Sequence, residues 1–167
     1  MPAAERRGSW LWLVIFAAAV LVVAITGTLA STSNVDGWYA EAAKPPWTPP
    51  NWLFGPVWTL LYAGLAIAGW LVWRSDGPRR GLGLTLFWVQ LALNAAWTPL
   101  FFAAYPAWGA PALWIGAAVI LALDAVVLAC VLVFWRIHRF AGVVMVAYLA
   151  WLLYATTLNL GVAALNG

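Results

Sequence analysis

Five long apolar runs, separated by short polar or proline-rich links, set the pattern of this chain. Each run is 21 to 26 residues long, and about 20 residues of α-helix cross roughly 30 Å of hydrocarbon. The runs lack the alternation of period two that is typical of barrel strands, which favours helices. The pattern predicts an all-α membrane protein, a five-helix transmembrane bundle forming one domain over residues 1–167, with spans at about residues 10–30, 52–73, 82–104, 112–135 and 140–165.

The composition supports lipid as the solvent of this fold. Hydrophobic residues make up 66% of the chain and charged residues only 8%, against about 25% charged residues in ordinary soluble domains. No water-soluble fold of 167 residues buries that much apolar surface. The first run is also longer than the apolar region of a signal peptide, which is about 7–15 residues, so we interpret it as a span.

The few charged residues predict how the bundle is oriented. With five spans, Lys44 falls on one side of the membrane and every arginine falls on the other. Because basic residues concentrate on the cytoplasmic side, we expect a multi-pass protein of the cell membrane with a cytoplasmic N-terminus and an outer C-terminus. The net charge of +3 therefore reflects topology, and we expect no nucleic-acid partner. The arginines are Arg6, Arg7, Arg74, Arg79, Arg80, Arg136 and Arg139.

The link between the first two spans, residues 31–51, is rich in proline and tryptophan. It contains four prolines within six positions, residues 45–50, and Trp47 lies among them. Proline removes a backbone donor and clashes with the preceding helical turn, so this segment is a stiff loop. Rigid aromatic surface beside an apolar bundle is typical of a site for a flat, apolar ligand. We therefore expect this link to act as a lid.

Aromatic and amide side chains recur at helical spacing in three of the spans. Residues three and four apart share one helix face, and the rise of about 1.5 Å per residue puts these groups at similar depth. If the faces point inward, they line one cavity below the lid. The third span also contains Pro99, which predicts a kink. The residues are Trp58 and Tyr62 in the second span, Asn94, Trp97 and Phe101 in the third, and Tyr148, Trp151, Ala155 and Asn159 in the fifth.

The order of these residues resembles that of a known family. The first motif runs Trp38-Tyr39, Lys44-Pro45, Trp47-x-Pro49-Pro50-x-Trp52 and Gly55-Pro56-Val57-Trp58-Thr59-x-x-Tyr62. The third span adds Asn94-x-x-Trp97-Thr98-Pro99, and the fifth adds Tyr148-Leu149-Ala150-Trp151. These three ordered motifs resemble the tryptophan-rich sensory protein family, also called the translocator protein or peripheral benzodiazepine receptor family.

The resemblance implies both a fold and a ligand. Members are five-helix membrane proteins, often dimers, that bind porphyrins and in some cases sterols or synthetic isoquinoline and benzodiazepine ligands. It implies protoporphyrin IX or another lipophilic small molecule as the ligand, no obligatory cofactor, contact with membrane lipid, and a homodimer. Carried over position by position, the ligand pocket includes Tyr39, Trp58, Tyr62, Asn94, Trp97, Trp151 and Ala155, to which the shared helix face adds Phe101.

Three features depart from the family's pattern. Ala147 stands where members usually have proline, which removes the reason for a local kink. Asp124 lies later in the fourth span than the acidic residue of many members, so no role is transferred to it; a carboxyl at this depth is expected to be protonated or bonded to a neighbouring helix. No basic residue follows Tyr148 or Tyr154 within five positions, so sterol binding loses support.

Three functions remain open at this point. The first is a membrane receptor or sensor that binds porphyrins. The second is an enzyme, because several members have been linked to light-dependent breakdown of protoporphyrin, although no acid–base pair or nucleophile constellation is evident. The third is a transporter of porphyrin or another lipophilic molecule, with Asp124 as the coupling residue. The lone Cys130 and the lone His138 offer no catalytic metal site.

Overall fold

The computed structural model describes the backbone of residues 3–167 and the side chains of residues 10–167, so the side chains of Arg6 and Arg7 lie outside the described residues. The described chain is helical and has no strand, which confirms the all-α prediction. Five of its helices are long and apolar enough to cross a membrane. In chain order the helices are α1 (Ala3–Val35), α2 (Trp38–Glu41), a 3-10 turn (Asn51–Leu53), α3 (Phe54–Arg74), α4 (Arg80–Thr98), a π-helical segment (Pro99–Ala103), α5 (Tyr105–Trp108), α6 (Ala110–Ile137) and α7 (Arg139–Asn166).

The five long helices form a closed ring in the order α1, α3, α7, α6, α4. Each helix packs against the next, and α4 returns to α1. The most extensive packing joins α6 and α7, which only His138 separates in sequence. These two helices are therefore antiparallel neighbours.

Large side chains fill the ring at the end that carries the described arginines, which we call the basic end. Phe16 and Phe87 meet edge to face there, with ring centroids 5.1 Å apart. Gly69 permits this contact, because a Cβ at Gly69 would lie 2.7 Å from Phe87 Cε2 and 2.8 Å from Phe16 Cδ1. Leucines on the outside of the ring, such as Leu132, remain exposed and form the surface that faces hydrocarbon.

Helix α1 extends beyond the predicted first span and shortens the link that follows it. Polar side chains near its end stay bonded within the helix; the Asn34 amide, for example, donates to the Ala30 carbonyl at 2.8 Å. The helix ends at Val35, so the predicted link of residues 31–51 begins too early. The connection between the two spans is residues 36–53, and we call this segment the lid.

Pro99 alters the helical hydrogen bonding of the third span. Because proline has no N–H to donate, the segment Pro99–Ala103 is π-helical, and Ala104 N donates to the Pro99 carbonyl at 3.0 Å. The irregularity therefore lies where the sequence predicted a kink. Helix α7, by contrast, continues unbroken through Ala147, as the absence of proline predicted.

Candidate ligand-binding site

A cavity of about 460 Å³ lies beneath the lid and is lined by α1, α3, α4 with its π-helical extension, and α7. Small-molecule sites in proteins typically measure about 300–1,000 Å³. The lid closes the end of the bundle opposite the basic end, and we call this the lid end. The cavity therefore opens within the half of the bundle where the sequence predicted that the aromatic faces would meet.

Aromatic rings form the wall on α3 and α4. The Trp58 ring stacks on Tyr62, with centroids 5.2 Å apart and an interplanar angle of 29°. The same indole lies 6.2 Å from the Trp97 ring, which in turn lies 6.4 Å from Phe101. All four side chains line the cavity. The wall is thus a continuous aromatic surface against which a planar ring system can stack.

Hydrogen bonds behind the wall hold two of these rings in place. The Trp97 indole N–H donates to Asn159 Oδ1 at 2.9 Å, and the Asn159 amide donates onward to the Leu113 carbonyl at 3.1 Å. The Tyr62 hydroxyl donates to Asn94 Oδ1 at 2.9 Å. Because these partners come from other helices, the orientation of each ring depends on the packing of the whole bundle.

Asn94 links three helices rather than lining the cavity. Besides accepting from Tyr62, it donates to the Tyr148 hydroxyl at 2.6 Å, and Asn94 and Tyr148 are both fully buried. The amide is therefore directed at neighbouring helices and does not reach the cavity. This role agrees with the interhelical hydrogen bonding that a polar residue in a membrane bundle favours.

Helix α1 supplies a wall that the motifs did not indicate. Its contribution consists of small or hydroxyl-bearing residues at spacings of three and four, which is one face of a helix. A Cβ at Gly27 would lie 3.6 Å from Thr98 Oγ1, so small residues let α1 approach the end of α4 closely. In the sequence, this stripe of small residues within a run of larger aliphatic residues was the feature that could have predicted the wall. The residues are Ala24, Gly27, Thr28, Ser31, Thr32 and Val35.

Most hydroxyls in the wall are already used within their own helices. Thr28 Oγ1 donates to the Ala24 carbonyl at 2.9 Å, Thr32 Oγ1 to the Thr28 carbonyl at 2.7 Å, and Thr59 Oγ1 to the Gly55 carbonyl at 2.8 Å. A hydroxyl has one proton to donate, so these groups offer a ligand only acceptor capacity. The wall therefore offers a ligand fewer hydrogen-bond donors than its threonine and serine residues suggest.

Two aromatic residues of the lid pack against the end of the third span, and one of them, Tyr39, lines the cavity. The Trp38 indole N–H donates to the Phe102 carbonyl at 2.9 Å, and its ring stacks on Tyr105 with centroids 4.0 Å apart. Tyr39 is buried and lies 6.1 Å from Phe101. Burial raises the pKa of the Tyr39 phenol above its ordinary value, and proximity to Tyr154 raises it further. The phenol is therefore neutral at physiological pH.

The rest of the lid is fastened to α7. The Asn166 side chain accepts from Ala43 N at 2.9 Å and donates to the Ala43 carbonyl at 2.8 Å. The Tyr154 hydroxyl donates to the Trp47 carbonyl at 2.8 Å, and the Trp47 indole N–H donates to Thr157 Oγ1 at 3.2 Å. The lid therefore crosses from α1 to α7 before it returns to α3.

The structure brings most of the predicted site residues together. Six of the eight line the cavity: Tyr39, Trp58, Tyr62, Trp97, Phe101 and Ala155. Asn94 and Trp151 do not line it. Trp151 lies behind Trp58, with ring centroids 6.4 Å apart at nearly a right angle, and also packs on Phe54. The three indoles of α3, α4 and α7 therefore converge, but only two of them face the cavity.

Asp124 and His138, which the sequence singled out, do not line the cavity. Asp124 is buried and accepts from Thr156 Oγ1 at 2.8 Å, so it is bonded to the neighbouring helix as expected. His138 joins α6 to α7 at the basic end. Among the residues that the structure describes, no group of three or more His, Cys, Asp or Glu side chains is arranged to hold a metal ion.

The fold and the cavity define a multi-pass membrane protein with a small-molecule-sized site inside a five-helix bundle. The family model described as TspO/MBR matches residues 14–165. The chain is similar to the tryptophan-rich protein TspO of Archaeoglobus fulgidus, with 36% identity over 148 residues covering 89% of this chain and 92% of the relative. The chain belongs to the TspO/MBR family, which confirms the resemblance carried by the motifs.

Two further relatives come from a bacterium and from an animal. The tryptophan-rich sensory protein of Cereibacter sphaeroides is 35% identical over 157 residues, covering 94% of this chain and 92% of the relative. The human translocator protein is 36% identical over 125 residues, covering 73% of this chain and 70% of the relative. The similarity thus extends over both microbial and animal members.

Proposed function

We propose that this protein is a membrane receptor or sensor that binds protoporphyrin-type porphyrins, and similar flat apolar molecules, in the cavity beneath the lid. The observation that carries the proposal is the continuous aromatic wall of Trp58, Tyr62, Trp97 and Phe101 along a cavity of about 460 Å³. Aromatic rings favour offset stacking with other planar systems. No obligatory cofactor is part of this proposal.

The distribution of polar groups supports a ligand that is mainly apolar. The hydroxyls of α1 and α3 donate to their own helices, so binding is favoured mainly by the burial of the ligand's apolar surface. Asn51 lines the cavity where the lid meets α3, and its amide can donate to a carboxylate at the edge of a ligand. The arrangement suits a broad planar body; Asp36 also lines the cavity, so acidic groups on the ligand are expected to lie away from that carboxylate.

The direct test is a titration of protoporphyrin IX into the detergent-solubilised protein, followed by quenching of tryptophan fluorescence. Trp58→Ala removes the centre of the aromatic wall, and Ala155→Phe adds a ring inside the cavity, so both variants are expected to bind more weakly. Matched controls are Trp114→Ala and Ala150→Phe, at exposed positions of α6 and α7. Unchanged affinity in both cavity variants would exclude this cavity as the site.

A second candidate function is light-dependent breakdown of the bound porphyrin. The observation that favours it is the position of two indoles, Trp58 and Trp97, on the cavity wall with centroids 6.2 Å apart. Indole rings so placed are within reach of an excited porphyrin. Illumination of the complex in the presence of dioxygen tests this function, because new product absorbance that is lost in Trp58→Phe supports an enzyme. Quenching without a new product supports the receptor.

Transport of the ligand is a third reading, in which Asp124 couples movement to protons. Liposomes that contain the protein test it, because flux of porphyrin that is abolished in Asp124→Asn supports transport. The structure offers this reading little support, since Asp124 is bonded to Thr156 and lies outside the cavity lining. We therefore rank it below the receptor.

We further propose that the protein is a homodimer joined through α4, with its N-terminus in the cytoplasm. Ala92 and Ala96 are both exposed on the outside of α4, and small residues four apart let two membrane helices approach closely. Replacement of both by leucine is expected to convert dimers to monomers in analytical ultracentrifugation. The matched control is leucine at Ala118 and Ala122, which are exposed at the same spacing on α6.

A further inference from the structure

A second, smaller cavity lies at the basic end, far from the lid. It measures about 90 Å³ and is formed by the turn between α3 and α4 together with the end of α6. Arg79, Arg80 and Arg136 line it, along with one carboxylate, Asp76. Three guanidinium groups against one carboxylate leave an excess of positive charge around a space too small for a ligand of the size that the lid-end cavity holds.

The chemistry of this cavity matches a phosphate group. A guanidinium offers donors in a planar fork that fits phosphate oxygens in pairs. The Arg80 guanidinium is held in place, because its Nε donates to the Trp73 carbonyl at 2.8 Å and its Cζ lies 5.7 Å from the centroid of the Trp73 ring. This geometry fixes one arginine of the cavity and leaves its terminal nitrogens for an anion.

The surroundings identify the anion as part of a lipid. The cavity lies where α3 and α6 end, which is the depth of phospholipid headgroups for helices that span the membrane. On α6, Leu128 and Leu132 lie eight and four residues before Arg136 and therefore share its face. They are 50% and 65% exposed, so they form an apolar strip that leads from the arginine toward the hydrocarbon.

We propose that this cavity binds the headgroup phosphate of an anionic phospholipid, whose acyl chains lie along the exposed leucines of α6. The three arginines hold the phosphate, and the strip of Leu128 and Leu132 receives a chain. A basic pocket between membrane helices is a recognised form of site for anionic lipid. This site is independent of the lid-end cavity and of its proposed ligand.

Native mass spectrometry of the full chain in a neutral detergent tests the proposal, with phosphatidylglycerol and phosphatidylcholine as the probes. Wild type is expected to prefer phosphatidylglycerol. The double variant Arg79→Gln/Arg136→Gln is expected to lose about 150-fold or more in affinity for phosphatidylglycerol, since each charge-assisted hydrogen bond to the phosphate contributes about 12-fold or more. The melting temperature of the same variant, followed by far-UV circular dichroism, reports whether the bundle is intact.

The matched control is Arg74→Gln/Arg139→Gln, which removes the same charge from the same end. These two arginines lie over Trp70 and Trp135 and do not line the cavity. Affinity of this control for phosphatidylglycerol close to wild type supports the site. Equal losses in the two double variants would mean diffuse surface charge and overturn the proposal. Equal affinity of wild type for the two lipids would overturn it as well, and so would competition by glycerol phosphate at the concentration of the lipid.

Discussion

The contact between the lid and α7 at Gly161 allows a sharp test of how the lid is held. A Cβ added at Gly161 would overlap the Pro45 ring, which is itself buried. Gly161 lies inside a regular helix, where alanine is intrinsically favoured over glycine by about 1 kcal/mol. Gly161→Ala therefore leaves α7 intact and displaces the lid instead.

The expected increase in lid opening follows from comparing the hydrogen bonds that hold the lid with the cost of the added methyl group. Four hydrogen bonds join the lid to Tyr154, Thr157 and Asn166 of α7, each contributing about 0.5–1.5 kcal/mol net. Overpacking by one methyl group costs about 1–3 kcal/mol. The clash thus offsets about half of what the four hydrogen bonds contribute, and opening of the lid should become about 5- to 150-fold more frequent.

Hydrogen–deuterium exchange measures this opening directly. The Ala43 amide is the reporter, because in the closed lid it donates to Asn166 Oδ1, and its exchange rate follows the local opening equilibrium. The matched control is Gly81→Ala in α4, where an added Cβ meets nothing within 4 Å. Exchange at Ala43 that is unchanged in Gly161→Ala, or raised equally in the control, would refute the account of the lid.

Three further substitutions test the wall and the lid. Tyr62→Phe keeps the ring but removes the bond to Asn94, so the melting temperature should fall by the equivalent of about 0.5–1.5 kcal/mol while protoporphyrin affinity stays near wild type. Asn159→Leu leaves the Trp97 indole N–H without its acceptor, costing about 1–3 kcal/mol, and should lower both the melting temperature and the affinity. The raised pKa of Tyr39 means that lid closure is fully stable below about pH 10, the ordinary tyrosine value, and weakens as pH rises above it; Tyr39→Phe should abolish that dependence when lid opening is followed by tryptophan fluorescence.

The five spans were predictable because membrane insertion imposes a length and a polarity that each segment must satisfy alone. The order of the helices around the ring was not, since lipid-facing and buried faces are both apolar. The end of α1 was misjudged for a related reason. Ser31 and its polar neighbours are typical of a link in water, but inside a helix their side chains bond to the preceding turn.

The candidate site was likewise predictable only in part. Trp58, Trp97 and Ala155 were found because motifs name them, and the structure brings them to one cavity. The wall on α1 was missed, because a stripe of small residues such as Gly27 is also typical of close helix packing without a ligand. Asn94 was assigned to the cavity by the family resemblance and by the helix face that it shares with Trp97. Its amide is bonded to Tyr62 and Tyr148 on two other helices, away from the cavity, which no pattern within one helix reveals.

The way in which the lid is joined to α4 connects sequence to site most directly. In a regular helix the Phe102 carbonyl would accept from the residue four positions later, but that residue is Pro106, which has no N–H. The carbonyl accepts the Trp38 indole N–H instead. The prolines around the third span thus do more than end a helix. Pro99 shifts the hydrogen bonding into a π-helical turn, and Pro106 leaves an acceptor to which the lid attaches over Phe101.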